Sequence, residues 1–130
     1  MKNLILNSVF VLLSIPAWAG YLLQQSQVGQ TPSGKPILVE QIQFDHSRIL
    51  IVAVTLPEAN TRLVALPVSA DYANKTLVVR LETFRDAYSV GLTEARSSFS
   101  VDRRRNPGPW TVVFVNAENF VVGRVELNTL

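Results

Sequence analysis

Residues 75–83, KTLVVRLET, alternate between apolar and polar side chains over most of their length. Successive side chains of a β-strand point to opposite faces, so such a segment buries one face and leaves the other in water. One phase comprises Leu77, Val79 and Leu81. The opposite phase comprises Thr76, Val78, Arg80 and Glu82. This stretch therefore predicts a strand of a sheet that packs on a core.

Short apolar segments of this kind follow one another along the chain after Gly20. They are rich in valine, isoleucine, leucine, phenylalanine and threonine, the composition typical of strands. The predicted strands are residues 21–28, 36–44, 48–55, 61–68, 75–83, 96–101, 109–116 and 119–128. Residues 84–95 come nearest to a helical period, but Gly91 and its β-branched neighbours favour a loop, a single turn or an irregular strand. The pattern predicts an all-β fold, a small antiparallel β-sandwich of seven to eight strands, with a small barrel as the alternative.

The last two strands are predicted to form a hairpin. Residues 110–115 return through residues 120–127 by a short turn flanked by Asn116 and Asn119. The preceding Pro107-Gly108-Pro109-Trp110 resembles the lead-in to the penultimate strand of bacterial immunoglobulin-like domains. This resemblance, limited to about twenty residues, implies an immunoglobulin-like type of sandwich.

Three of the predicted strands are apolar in both phases, which a two-layer sandwich does not require. They are residues 49–54, 63–68 and 110–115. A covering loop such as residues 84–95 would shield the surplus apolar side chains, and scattered surface valines are ordinary. A hydrophobic face that binds another protein, or further copies of this chain, is the second interpretation. The candidate partner-binding residues are Ile49, Ile51, Val64, Leu66, Val113 and Val115.

The first nineteen residues have the pattern of a secretory signal peptide. Lys2 supplies a positive start, residues 4–15 are mainly apolar, and Ala17-Trp18-Ala19 predicts cleavage before Gly20. Residues 20–130 would then form a single sandwich domain in the periplasm or outside the cell. Retention of the segment as a membrane anchor is the alternative. Residues 20–35 are either the first strand or a flexible N-terminal arm.

Composition excludes several kinds of chemistry. The chain of 130 residues contains no cysteine, which removes disulfides, thiol catalysis and cysteine-ligated metals. Its one histidine, His46, lies between Asp45 and Ser47, and three consecutive residues cannot adopt the geometry of a catalytic triad. Nucleotide-binding glycine loops and calcium loops are also missing from the sequence. We therefore expect no enzyme activity, no catalytic residue, no metal and no cofactor.

The charged residues of the chain form one local cluster, the arginine run at residues 103–105. The formal net charge is +2, and it falls to +1 once Lys2 is removed with the signal. The basic residues form no stripe of the kind that nucleic acid requires, so no nucleic-acid partner is expected. Arg103, Arg104 and Arg105 are the candidate anion-binding residues, for a phosphate, a sulfate or an acidic glycan. A solvated loop that keeps a sheet edge from aggregating is the simpler interpretation.

These observations favour an exported, non-enzymatic β-sandwich that binds another protein, for example as an accessory factor in assembling envelope or surface structures. A self-assembling structural subunit is the first alternative, because the same apolar residues would serve contacts between copies. An inhibitor or anionic-ligand-binding module that uses the arginine run is the second. A membrane contact is expected only if the signal is retained.

Overall fold

The computed structural model of the protein describes residues 20–22, 26–44, 47–88, 94–102 and 104–127. Within these ranges the chain forms nine strand segments and no helix. The strands are β1 Gly20–Leu22, β2 Ser26–Gln30, β3 Pro36–Phe44, β4 Arg48–Thr55, β5 Thr61–Asp71, β6 Thr76–Arg85, β7 Glu94–Ser100, β8 Trp110–Val115 and β9 Val121–Leu127. The expected all-β class is confirmed. The predictions that concern residues 1–19 and His46 lie outside the described residues.

The first sheet is built around the β3–β4 hairpin. Its strands follow the order β1-β3-β4-β7, and β2 also pairs with β3. Because β1 pairs with the end of β3 and β2 with its beginning, these two short segments share one strand position. The predicted strand at residues 21–28 is thus divided into two described segments. The two sheets together have eight strand positions, four on each side of the core.

The second sheet follows the order β5-β6-β8-β9. The hairpins β5–β6 and β8–β9 are antiparallel, but β6 and β8 run parallel, with Thr76 opposite Thr111 and Arg80 opposite Val115. In an immunoglobulin domain the second and third strands lie in opposite sheets. Here β3 and β4 pair within one sheet. The described topology is therefore that of a β-sandwich, and the immunoglobulin-like type is not confirmed.

The core lies between the inward phases of the two sheets. The residues of this core with the largest fully buried side chains are Phe114, Ile42, Ile49, Ile51, Leu77, Val28, Val39, Val79, Val101 and Val112. Leu77, Val79 and Leu81 all belong to it, so the inward phase of β6 is the one that its alternation predicts. In a chain without cysteine, burial of these side chains supplies most of the favourable free energy of folding.

Strand β9 of the second sheet passes close to strand β2 of the first sheet. A Cβ atom at Gly123 would lie 2.7 Å from Cα of Val28 and 3.0 Å from its Cβ. Only a residue without a side chain fits this contact, because the nearest atom that a Cβ would meet, Cα of Val28, belongs to the neighbouring backbone. On the same strand, the register between β8 and β9 shifts between Phe114 and Val115. Gly123 therefore brings the edges of the two sheets together.

One polar side chain of the core lacks a hydrogen bond. Oγ of Thr55 donates to the carbonyl oxygen of Pro36 at 2.8 Å, whereas Oγ of Ser97, also buried, finds no partner among the described residues. Burial of an unpaired hydroxyl opposes folding.

Replacement of Ser97 by alanine is therefore expected to stabilise the protein by about 1 kcal/mol, the cost of the unpaired hydroxyl. Urea denaturation followed by tryptophan fluorescence measures the change. Ser98→Ala is the matched control, because Ser98 is the exposed neighbour on the same strand and should change stability little. A loss of stability in Ser97→Ala would contradict the prediction and indicate a hydrogen bond that this serine makes in solution.

Candidate interaction surfaces

Ile49 and Ile51 do not fit their predicted role as partner-binding residues. Both side chains are 0% exposed, and they face the second sheet from β4. Ile49 lies opposite Phe99 and Ile51 opposite Ser97 on the adjacent strand β7. Because β4 is apolar in both phases, its sequence does not identify which phase points inward. The structure assigns the inward phase to these two isoleucines and leaves no surface on them for a partner.

The outward phase of β4 is shielded within its own sheet. Val52 is only 5% exposed although it lies outside the core cluster. It is paired with Gln41 on β3 and with Arg96 on β7, and Arg96 in turn lies 3.0 Å from a carboxylate oxygen of Glu94. Long polar side chains cover neighbouring apolar groups with their hydrocarbon stems. The outer face of the first sheet therefore has little exposed apolar surface at its centre.

The other four candidate residues lie together on the outer face of the second sheet. Val64 and Leu66 belong to β5, whereas Val113 and Val115 belong to β8. Strand β6 connects the two pairs, with Arg80 opposite both Leu66 and Val115. Val78 and Val121 complete this surface through their pairing with Val113 and Val115. We call the set Val64, Leu66, Val78, Val113, Val115 and Val121 the apolar face.

The middle of the apolar face is largely covered by the chain itself. Val113 and Val115 are 9% and 6% exposed. The neighbouring Arg80 is fixed across the sheet, because its Nε and Nη2 donate to Oδ1 of Asn119 at 3.2 and 2.7 Å. Arginine stems placed in this way remove adjacent valines from water. Val115, which lies opposite Arg80 in the register, is therefore not directly accessible while Arg80 holds this position.

The two sides of the apolar face remain open. Leu66 is 39% exposed on β5, and Val121 is 60% exposed on β9. Phe120, next to Val121, is 69% exposed. The turn before it is fixed by Asn116, whose Oδ1 accepts hydrogen bonds from the backbone N–H groups of Glu118 and Phe120. A short turn thus holds an aromatic side chain in water beside the apolar face.

Phe120 and Val121 were missing from the sequence-based candidates. Both lie in the predicted strand 119–128. The signal that could have identified them is the run Phe120-Val121-Val122 directly after a turn residue. Three consecutive apolar residues at the start of a strand cannot all face a core, because successive side chains point to opposite faces.

The arginine run lies at one end of the sandwich, after β7. Arg103 is outside the described residues, and Arg104 and Arg105 are both exposed. The carboxylate of Asp102 accepts a hydrogen bond from the backbone N–H of Arg104 at 3.0 Å and lies 3.8 Å from Nε of Arg105. An anion would have to compete with this carboxylate for Arg105. Asp102 therefore reduces the positive charge that Arg105 offers to an anion.

The loop that carries the arginines is nevertheless well anchored. Nε1 of the buried Trp110 donates to the carbonyl oxygen of Asn106 at 3.1 Å, and Tyr72 packs edge-on against the Trp110 ring with centroids 5.9 Å apart. Lys75 donates to the carbonyl oxygen of Pro107. In the adjacent β5–β6 turn, hydrogen bonds from the side chain and backbone of Asn74 lower the pKa of Asp71. These contacts hold the loop against the end of the second sheet.

The opposite end of the sandwich has a shallow cleft of about 590 Å³. Its lining residues are Pro32, Ser33, Glu58, Ala59, Asn60, Thr61, Thr83, Phe84 and Arg85. The carboxylate of Glu58 accepts a hydrogen bond from the hydroxyl of Ser33, which makes it part of the loop structure. Within the described ranges, no group of three or more His, Asp or Glu side chains is placed to hold a metal ion.

Comparison of the chain with protein-family models, with curated proteins and with solved structures found no match. In the described part of the chain, no helix is long and apolar enough to cross a membrane.

Proposed function

We propose that this protein is an exported, non-enzymatic β-sandwich that works by binding another protein through the apolar face of its second sheet. The observation that supports this proposal is the position of Leu66 and Val121, which are exposed on opposite sides of the apolar face, with Phe120 next to Val121. Exposed apolar patches of this kind mark sites of protein–protein contact. An accessory role in assembling envelope or surface structures fits such a module.

A protein fits this surface better than a small molecule does. The apolar face is the flat outer side of a sheet, whereas small-molecule sites are usually concave and enclose most of their ligand. Flat sites with aromatic and aliphatic residues suit a partner that brings its own protruding side chains. The partner is therefore expected to be a protein with an apolar surface of its own.

Arg80 gives the face a means of adjusting to a partner. Its guanidinium donates to the uncharged amide of Asn119 and has no carboxylate partner among the described residues. Since hydrogen bonds to a neutral amide are weaker than those between two charged groups, a partner could displace this side chain at modest cost. Displacement would expose Val115, which lies opposite Arg80 in the β-sheet register. The face would then extend from Leu66 to Val121.

Export is the second component of the proposal. It is supported by Lys2, the apolar residues 4–15 and the small residues Ala17 and Ala19 at the positions that a signal peptidase recognises. Mass spectrometry of the protein made with its own N-terminus tests this component. A chain that begins at Gly20 is the expected result. An intact Met1 in a membrane fraction would contradict periplasmic or secreted localisation.

Site-specific photo-crosslinking in the producing cells tests the binding component. A photoreactive residue at Leu66 or at Val121 should give an adduct of the same defined mass, because both positions border one face. The matched control is Ser98, which is exposed on the outer side of the first sheet.

Three outcomes distinguish the functional classes. A defined adduct at Leu66 and Val121 but not at Ser98 supports a protein partner on the apolar face. An adduct of twice the monomer mass at those positions favours the self-assembling subunit instead. The same adducts at all three positions, or none at any, would contradict the proposal.

A further inference from the structure

Strand β9 is the outer strand of the second sheet and pairs only with β8 in the described part of the chain. Its close approach to the first sheet is made by Val122 and Gly123, which meet Gly29 and Val28 of β2. The remaining residues of the strand, 124–127, have no strand hydrogen-bonded to their outer side within the described ranges. An open strand edge is a template for pairing with another strand.

The opposite edge of this sheet is protected. Strand β5 contains Pro67, which has no N–H to donate, and its register shifts between Pro67 and Ser69. Proline and bulges are devices that keep an edge strand from pairing with other chains. Strand β9 contains no proline. The two edges of the second sheet therefore differ in their readiness to accept a further strand.

Two opposite charges lie on the open part of β9. Arg124 and Glu126 are both exposed and point to the outer face, two positions apart. Their neighbours on β8 are Val113 and Thr111, which are uncharged. Neither side chain has an ion pair with any described residue. As far as the described residues show, both charges are therefore available to pair with groups on another molecule.

The spacing of these charges makes β9 complementary to itself. In an antiparallel pair of strands, side chains directly opposite each other lie on the same face of the sheet. Two copies of β9 can therefore pair symmetrically about a residue, but not about a point between two residues. Centring on Arg124 opposes two arginines, and centring on Glu126 opposes two glutamates. Centring on Val125 places each Arg124 opposite the partner's Glu126. Cross-strand pairs of opposite charge stabilise a sheet and like pairs destabilise it.

We infer that two copies of this chain associate through their β9 edges, antiparallel and centred on Val125. The occupant of the edge is a second copy because an isologous interface requires a self-complementary surface, which the order Arg-Val-Glu supplies. The second sheets of the two molecules then form one continuous sheet with the order β5-β6-β8-β9 on each side of the axis. This inference goes beyond the proposed function, since it uses the edge of the sheet rather than the apolar face.

Charge-reversal variants test the inference with the mature chain. Size-exclusion chromatography with light scattering should give twice the monomer mass for the wild type at high micromolar concentration and low salt. Arg124→Glu and Glu126→Arg should each give the monomer mass, because each opposes like charges twice across the axis. An equimolar mixture of the two variants should regain the doubled mass, since every glutamate then faces an arginine. The matched control is Arg96→Glu on the outer face of β7, which should leave the mass of the dimer unchanged.

Wild-type chain that remains monomeric up to millimolar concentration would overturn the inference, as would single variants that keep the doubled mass. Failure of the mixture to regain that mass would also overturn it. Circular dichroism establishes that each variant is folded. If one of the variants unfolds, the salt dependence of the wild-type dimer is measured instead. Pairing through exposed charges predicts weaker association at 1 M salt. A dimer that is indifferent to salt contradicts the Val125-centred register.

Discussion

Replacement of Ile51 by alanine is expected to lower the free energy of unfolding by about 2–5 kcal/mol, the range for deleting a fully buried aliphatic side chain. Ile51 is 0% exposed at the centre of the core. The loss combines the apolar surface that is no longer buried with the cavity that surrounding side chains fill only in part. Chemical denaturation followed by circular dichroism measures it.

Leu66→Ala is the control for this prediction, since both residues come from strands that are apolar in both phases. Leu66 lies on the surface at 39% exposure, so its removal should cost less than about 1 kcal/mol. Equal losses for the two variants would contradict the assignment of Ile51 to the core and Leu66 to the surface. The comparison therefore tests which phase of each strand points inward.

Gly123→Ala should destabilise the protein by about 1–3 kcal/mol, the range for overpacking a close contact. The added methyl group would lie 2.7 Å from Cα of Val28, so either β2 or β9 must move. The movement would weaken the junction between the two sheets on this side of the sandwich. Thermal and urea denaturation report the change.

The matched control is Gly29→Ala on the facing strand β2. A Cβ atom at Gly29 would meet its nearest neighbours, side-chain atoms of Ile37 and Val122, at 3.6 Å, which is ordinary contact. This variant should therefore change stability much less than Gly123→Ala does. If the two variants were equally destabilised, the close passage of β9 over Val28 would not be the cause.

The strands of the fold could be predicted well because their ends carry chemical signals. The predicted bounds of β3 and β4 coincide with the observed Pro36–Phe44 and Arg48–Thr55. Proline opens β3, and the polar residues 45–47 separate it from β4 in the sequence. The prediction for β5 was less complete, since it ended the strand at residue 68 whereas the strand continues to Asp71. The continuation follows a register shift between Pro67 and Ser69. Turn chemistry marks where a strand stops, but a bulge within a strand leaves no comparable signal.

The pairing of the strands could not be predicted in the same way. Nothing in the composition of β6 and β8 indicates that they run parallel, since both contain valine, threonine and phenylalanine. Pairing depends on contacts between residues far apart in sequence, and many arrangements bury comparable apolar surface.

The candidate surface was predicted in part. Val64, Leu66, Val113 and Val115 lie on one face, as expected if the surplus apolar residues are adjacent, but Ile49 and Ile51 are in the core. The sequence also does not reveal that Arg80 shields Val115, because that contact depends on the parallel register. Exposure at a doubly apolar strand is decided by its neighbours across the sheet rather than by its own residues.

The parallel pairing of β6 with β8 has a consequence for the time course of folding. Thr76 must find Thr111, 35 positions further along the chain, and the segment between them places β7 in the other sheet. Each hairpin can form locally, but the second sheet closes only through this distant pairing, which is slow in β-proteins, on the order of milliseconds to seconds. A growing chain therefore cannot complete this sheet until β9, at residues 121–127, has been synthesised. For a protein exported in an unfolded state, such a delay would keep the polypeptide ready for transport.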